Sequence, residues 1–223
     1  FFKDLDDIIH SFHAFCLRTP KDGLVVVNAD DENALRAVQG VDRALLTFGI
    51  SERADVRPVD ISVENGYYRF TVQVRGQAYT RVSLSVPGKH NMLNALAACA
   101  VSWYLKLDGT QVGEGLSAFM GSSRRFQRLG TMSCGAVVVD DYAHHPSEMR
   151  ATLAAARDMN FDRILCAFQP HTYTRTKALF PEFVDALKGC DVVVLAPIYA
   201  AREKNTVGIY STDLAAAVPG AKC

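Results

Sequence analysis

Between Leu5 and Cys16 the apolar residues Leu5, Ile8, Ile9, Phe12, Phe15 and Cys16 recur at steps of three and four, which predicts an amphipathic, core-facing helix stopped before Pro20. Leu24 to Val27 is a short apolar strand running into the acidic helix start Asn28-Ala29-Asp30-Asp31-Glu32, and Ala44 to Phe48 reads as the next strand. A β-α-β unit of this kind implies a parallel sheet. After Ile50 the period becomes two, and Asn65-Gly66 and Arg75-Gly76 separate the alternating runs as turns, so this stretch predicts antiparallel hairpins. Pro87-Gly88 ends them. A long Ala-rich helix over His90 to Leu107 follows, with Leu93, Leu96, Ala97, Ala100, Val101 and Tyr104 on its apolar side, and a second helix near Val112 to Phe119.

The small-residue break Gly121-Ser122-Ser123 suggests a domain boundary, giving units of 1–122 and 123–223. Beyond it, Ala136 to Val139, Ile164 to Phe168 and Val192 to Leu195 are apolar runs separated by helical patterns around Met149 to Met159 and Leu179 to Leu187. That order predicts a β-α-β-α-β unit with right-handed crossovers, which leaves the loops after all three strands on one edge of the sheet. Those loops are Asp140 to His145, Gln169 to Thr176 and Pro197 to Lys204, and each carries His, Tyr, Arg or Glu. The densest is in VVVDDYAHHPSEMR, Val137 to Arg150, where Pro146 suits a first helical position and Glu148 the positive end of a helix dipole. Convergence of three polar loops at the carboxyl ends of strands is the pattern of a ligand site.

With 49% hydrophobic and 22% charged residues among 223, the chain fits a soluble α/β protein of two domains, and no run approaches the ~20 apolar residues that cross a bilayer. Twenty-four basic residues balance 24 acidic ones, which argues against a nonspecific nucleic-acid or anionic-membrane binder. The six cysteines form no C-x-x-C and lie mostly among apolar neighbours, as expected of reduced, buried thiols of a cytosolic protein. The opening FFKDLDD carries neither an initiator Met nor a signal peptide, so the start looks like the middle of something longer.

Asn91 and Asn94 sit one turn apart at a helix start, where amides cap the helix or hydrogen-bond a planar heterocycle; capping accounts for one Asn but not readily for both. Arg124-Arg125 at the boundary reads as a solvated pair or as a contact to phosphate or ribose. Asp140, Asp141, His144 and His145 lack the spacing of known metal sites; an Asp accepting from a sugar hydroxyl, with a His or Tyr142 positioning substrate, fits better than a metal. In QPHTYTRT, His171 and Arg175 could clamp a carboxylate, for which the two-donor guanidinium is suited. Tyr199, Arg202 and Glu203 are weaker candidates. Trp103 and the five Met read as packing, and no Gly-rich P-loop is present.

The segments GKHNMLNALAA, SRRFQ, DDYAHHPSE, FQPHTYTRT and IYAARE, in this order, resemble the Mur ligases, and the third and fourth are similar to the muramate-adding branch. The resemblance implies a fold of three domains, of which 1–122 is the latter half of a central ATPase domain with a mixed sheet and 123–223 most of a Rossmann-like, amino-acid-binding domain. It implies an ATP-dependent amide-forming ligase of peptidoglycan precursor synthesis that joins L-alanine to UDP-N-acetylmuramate through an acyl phosphate. A ligase recycling murein tripeptide onto the same sugar is the neighbouring alternative, and a non-catalytic module of the same descent another. By the family pattern Asn91 and Asn94 approach the adenine, Arg125 the ATP phosphates or ribose, and Asp141 the ribose. Tyr142, His144, His145, His171 and Arg175 face the L-alanine or muramoyl carboxylate, with Arg125, His145 and Arg175 nearest the chemistry. Catalysis would rest on positioning and charge neutralisation. The P-loop with its Lys and the acidic ligand of Mg²⁺ lie outside these residues, so the chain alone is expected to be inert. Arg202 stands where the family usually has Gly.

Overall fold

The computed structural model describes residues 2–223. They form two compact units, one running to Met120 and one beginning at Gly121. The first opens with α1 (Leu5–Leu17), whose first turn is capped by the Asp4 carboxylate accepting from the Asp7 N–H. β1 (Leu24–Asn28), α2 (Glu32–Val38) and β2 (Ala44–Phe48) follow, and the Asp31 side chain caps α2 by accepting from Asn33 and Ala34. β3 (Val56–Glu64), β4 (Tyr67–Val74) and β5 (Gln77–Ser83) complete a sheet of order β1-β2-β3-β4-β5, parallel through β3 and antiparallel after it.

Both hairpins turn as expected. Asn65 and Gly66 have φ of 49° and 78°, Arg75 and Gly76 49° and 80°, the paired positive values of a type I′ turn, whose twist matches that of the strands it joins. α3 (Lys89–Tyr104) lays Met92, Leu96, Cys99 and Ala100 on Val56, Phe70, Val72 and Val82, all nearly or fully buried. α4 (Gly109–Ala118) packs so tightly on β5 that a Cβ at Gly113 would stand 2.5 Å from the Arg81 carbonyl oxygen and collide with the Thr80 hydroxyl.

The core-facing reading of α1 needs correcting. None of its residues is buried, and Leu5, Phe12 and Phe15 are 48%, 54% and 68% exposed. Its apolar side lines a groove of about 620 Å³ shared with Val25, Val27 and Ala34. Amphipathic spacing reports which face is apolar, not whether anything covers it. The cysteines also depart from expectation: all six are free, but only Cys99 is fully buried, its thiol pushed up to about 12 by burial, while Cys134 and Cys223 are exposed.

The second unit begins with β6 (Gln127–Thr131), antiparallel to β7 (Val137–Asp140). Then come α5 (Pro146–Asp158), β8 (Leu165–Phe168), α6 (Tyr173–Ala178), α7 (Phe180–Leu187), β9 (Val192–Leu195) and α8 (Ser211–Ala217). β8 and β9 pair in parallel, Leu165 opposite Val192. β6 was not anticipated. The single three-stranded parallel unit is replaced among the described residues by two pairs, because the tight turn Met132 to Gly135 folds β6 back onto β7. Phe168, Phe183, Leu187, Val193, Leu195 and Leu214 form this unit's own core.

The α4 contact yields a paired test. Gly115 on the same helix has nothing within 4 Å of a built Cβ. Ala there should raise stability by up to about 1 kcal/mol through helix propensity. Gly113→Ala should instead lower the urea midpoint, and equal shifts for the two substitutions would contradict the close packing.

Candidate functional site

The loops after β7, β8 and β9 come together through their rings. Tyr142 meets His144 edge-on at 5.3 Å between centroids, His144 lies 5.9 Å from His171, and His171 5.3 Å from Tyr199. Backbone bonds join the second and third loops, Thr172 N–H donating to the Tyr199 carbonyl at 2.9 Å and Tyr199 N–H to that of Pro170 at 2.8 Å. Thr172 takes φ 66°, costly for a β-branched residue, and Ala201 takes φ 52°. Strain of this kind persists only where surrounding contacts over-determine it.

Two carboxylates hold the loops. Glu148 Oε2 accepts from the backbone N–H of His144 at 3.0 Å and of His145 at 3.2 Å, and Oε1 lies 3.8 Å from Arg125 Nη1. Burial works to raise its pKa, but the N–H donors, the His144 and Arg125 charges outweigh it and hold the carboxyl below its ordinary value. Glu203, on the third loop, accepts from Thr174 N at 3.0 Å and Thr174 Oγ1 at 2.5 Å at the start of α6, and these bonds, hydroxyl first, likewise lower it.

His145 is the N-cap of α5: its Nδ1 accepts from Ser147 N at 3.2 Å, within a capping box closed by Glu148. Asp141 is spent inward, Oδ1 accepting from Ala143 N at 2.7 Å and Oδ2 from Phe126 N at 2.9 Å and Thr152 Oγ1 at 3.1 Å. The Arg124 guanidinium stacks 4.4 Å over Tyr142. His171 Nδ1 and Arg175 Nη1 are different: both are buried without a hydrogen-bond partner. A buried polar atom left unmatched costs about 1–3 kcal/mol, more when charged, so such atoms are places where a ligand or water binds.

In the first unit, Asn91 Nδ2 donates to the Pro87 carbonyl at 2.7 Å and Asn94 Nδ2 to Asn91 Oδ1 at 3.4 Å. Neither amide caps α3, whose N-cap Gly88 makes no side-chain bond. Asn94 is exposed, with its amide oxygen and one N–H open, a donor and acceptor pair that fits a heterocycle edge. Among the described residues no group of three or more His, Cys, Asp or Glu is placed to hold a metal ion.

Sequence reasoning assigned Glu148 only to the helix dipole and ranked Glu203 low. A capping box with His in the Ser/Thr position was the available signal for the first; the second acts across 29 residues, which spacing cannot reveal.

The chain belongs to the Mur ligases: the Mur ligase middle domain matches residues 1–102, and the Mur ligase, glutamate ligase domain, matches 124–222. The chain is 45% identical over 216 residues to the UDP-N-acetylmuramate–L-alanine ligase of Lachnospira eligens, covering 96% of this chain and 47% of that protein. It thus spans about half the length of the curated relatives it matches. Among solved structures, the UDP-N-acetylmuramate-alanine ligase of Thermotoga maritima is 31% identical with a TM-score of 0.70, covering 88% of this chain and 42% of that one. A murein peptide ligase of Psychrobacter arcticus is 26% identical with a TM-score of 0.63, covering 87% and 41%. No helix among the described residues is long and apolar enough to cross a membrane.

The two lowered carboxyls set a pH dependence. A carboxyl whose folded pKa lies below its unfolded one stabilises the fold above the unfolded value, and that stability is lost as pH falls through the folded value. The thermal stability of the chain should therefore fall as pH drops through and below 4.5, the ordinary value of both groups. The double variant Glu148→Gln, Glu203→Gln should flatten that part of the slope; an unchanged slope would contradict the assignment.

Proposed function

We propose that this chain is the adenine- and amino-acid-handling half of a cytoplasmic, ATP-dependent ligase that joins L-alanine to UDP-N-acetylmuramate. The observation that carries the reading is the pair of buried, unpartnered nitrogens, Arg175 Nη1 on α6 and His171 Nδ1 just before it. An α-carboxylate supplies the acceptors both lack. The His144 and Tyr199 rings flank His171, and Tyr142 meets His144.

In this reading Asn91 orients Asn94, and Asn94 offers its open amide edge to adenine. Arg125 answers phosphate or ribose, and the remaining lone pair of Asp141 Oδ1 is available to a ribose hydroxyl. His145 supports the site by capping α5. The muramoyl carboxylate takes the γ-phosphoryl group of ATP, the amine of L-alanine attacks the acyl phosphate, and phosphate leaves; this chain's residues bind and orient the amino acid. Addition of L-alanine is favoured over recycling of a murein peptide by the 31% identity to a solved ligase of the first kind against 26% to one of the second, and by the 45% identity to a curated relative of the first kind.

Two measurements test this. With no P-loop in its 223 residues, the chain alone should release no phosphate from ATP with UDP-N-acetylmuramate and L-alanine, and clear turnover would refute the division of labour. Joined to the N-terminal half of the Lachnospira eligens relative, it should ligate L-alanine in preference to murein tripeptide. Arg175→Ala in that ligase should raise the KM for L-alanine roughly 10- to 100-fold, the cost of a lost charged hydrogen bond, while leaving that for ATP intact. An unchanged KM for L-alanine would sink the carboxylate assignment.

A further inference from the structure

An amino acid reaches its site as an ammonium, which has no lone pair to attack with. One proton must leave before the amide bond forms, and a side chain within reach can take it. The site just described offers one group in the right state. His144 Nδ1 lies 2.9 Å from the Tyr142 carbonyl oxygen, which can only accept, so Nδ1 is the protonated nitrogen of the neutral ring. Nε2 then carries the lone pair. Behind the ring, Glu148 Oε2 stands 3.6 Å from Nδ1 while also accepting the His144 backbone N–H. A carboxylate in that place fixes the tautomer and stabilises the imidazolium that forms when Nε2 takes a proton.

The neighbours agree with this arrangement. The His144 ring faces the ring of His171, whose Nδ1 is unpartnered, with Arg175 Nη1 unpartnered in the same segment. With the carboxylate of an α-amino acid on those two donors, its amino group, one carbon away, falls toward His144. His145 does not compete for the role, because its own Nδ1 is engaged in capping α5. The other charged or titratable groups around His144 are Tyr142 and Glu148 on its own segment, Arg125 on Glu148, Arg124 over Tyr142, and His171 with Tyr199 from the other two loops.

We infer that His144 is the catalytic base that deprotonates the incoming amino group, and that Glu148 is the positioning residue that holds it ready. This rests on the proposed amide-ligase reading. The ammonium gives one proton to Nε2; the freed nitrogen pair forms the C–N bond at the acyl carbon; and the C–O bond to phosphate breaks with its electron pair on the phosphate. The second nitrogen proton leaves with the phosphate, and imidazolium returns the first to water.

The tautomer is testable in the 223-residue chain itself. Nitrogen NMR of neutral His144 should read Nδ1 protonated and Nε2 bare, and the reverse would overturn the inference. In the joined ligase, His144→Gln should lower kcat for L-alanine by about 100-fold or more. Acyl phosphate, trapped as hydroxamate with hydroxylamine, should still form at the wild-type rate. Glu148→Gln keeps an acceptor for both backbone N–H groups but removes the charge. It should lower the plateau of the alanine-dependent rate and move its acid limb to lower pH, a shift that a merely structural loss would not produce. An unmoved limb with a uniform loss, or equal loss of hydroxamate and amide, would overturn the base assignment while leaving the ligase reading standing. A wild-type joined ligase that traps acyl phosphate but never ligates L-alanine would overturn both.

Discussion

The first N–H groups of a helix have no partner within it, and the second unit settles that demand with carboxylates drawn from beside its functional loops. Glu148 closes the start of α5 through the N–H groups of His144 and His145, and Glu203 closes the start of α6 through Thr174. Each bond that satisfies a helix end also fixes a loop. Because Glu203 comes from the loop after β9 and Thr174 from the helix after β8, capping one helix fastens two loops together. The rings of His144, His171 and Tyr199 can then meet, and Thr172 and Ala201 are held at positive φ they would not otherwise keep. In that framework nearly every polar group is answered, which makes the unanswered His171 and Arg175 atoms informative.

The first unit solves a different problem with different means. Its sheet passes from parallel to antiparallel within one layer, and the two I′ turns fix the register of the hairpins that α3 covers. Small residues allow the helices close approach: Ala95 and Ala100 on α3, Gly109 and Gly113 on α4. That leaves the start of α3 as a rigid platform on which Asn91 holds Asn94.

Much of this was legible in the chain. Local period placed most helices and strands, and Asn-Gly and Arg-Gly marked their turns, because these depend on residues near in sequence; β6 was missed, and the stretch Gln169 to Thr176 read as loop is helical from Tyr173 in α6. The three site loops were legible as well, since strand ends collect ligand-binding residues whatever the details. What stayed hidden depends on partners distant in sequence. Nothing in the helical spacing of α1 said that its apolar face lies open, and nothing in RLGTM said that it pairs with VVV. Asp141 and His145 stand out in the chain by their type alone; that they also hold the loop in shape, through hydrogen bonds to Phe126, Thr152 and Ser147, with Glu148 doing as much, depends on the folded loop.

The central claim is that His171 and Arg175 are left unpaired for a carboxylate. The most direct measurement is a titration of the 223-residue chain with L-alanine and with L-alaninamide, following the side-chain nitrogens of His171 and Arg175 by NMR. L-alanine should shift both sets of signals in a saturable way, and the amide, which keeps the amine but lacks the carboxylate, should leave them nearly unmoved. Equal responses to the two ligands, or none to L-alanine, would contradict the account.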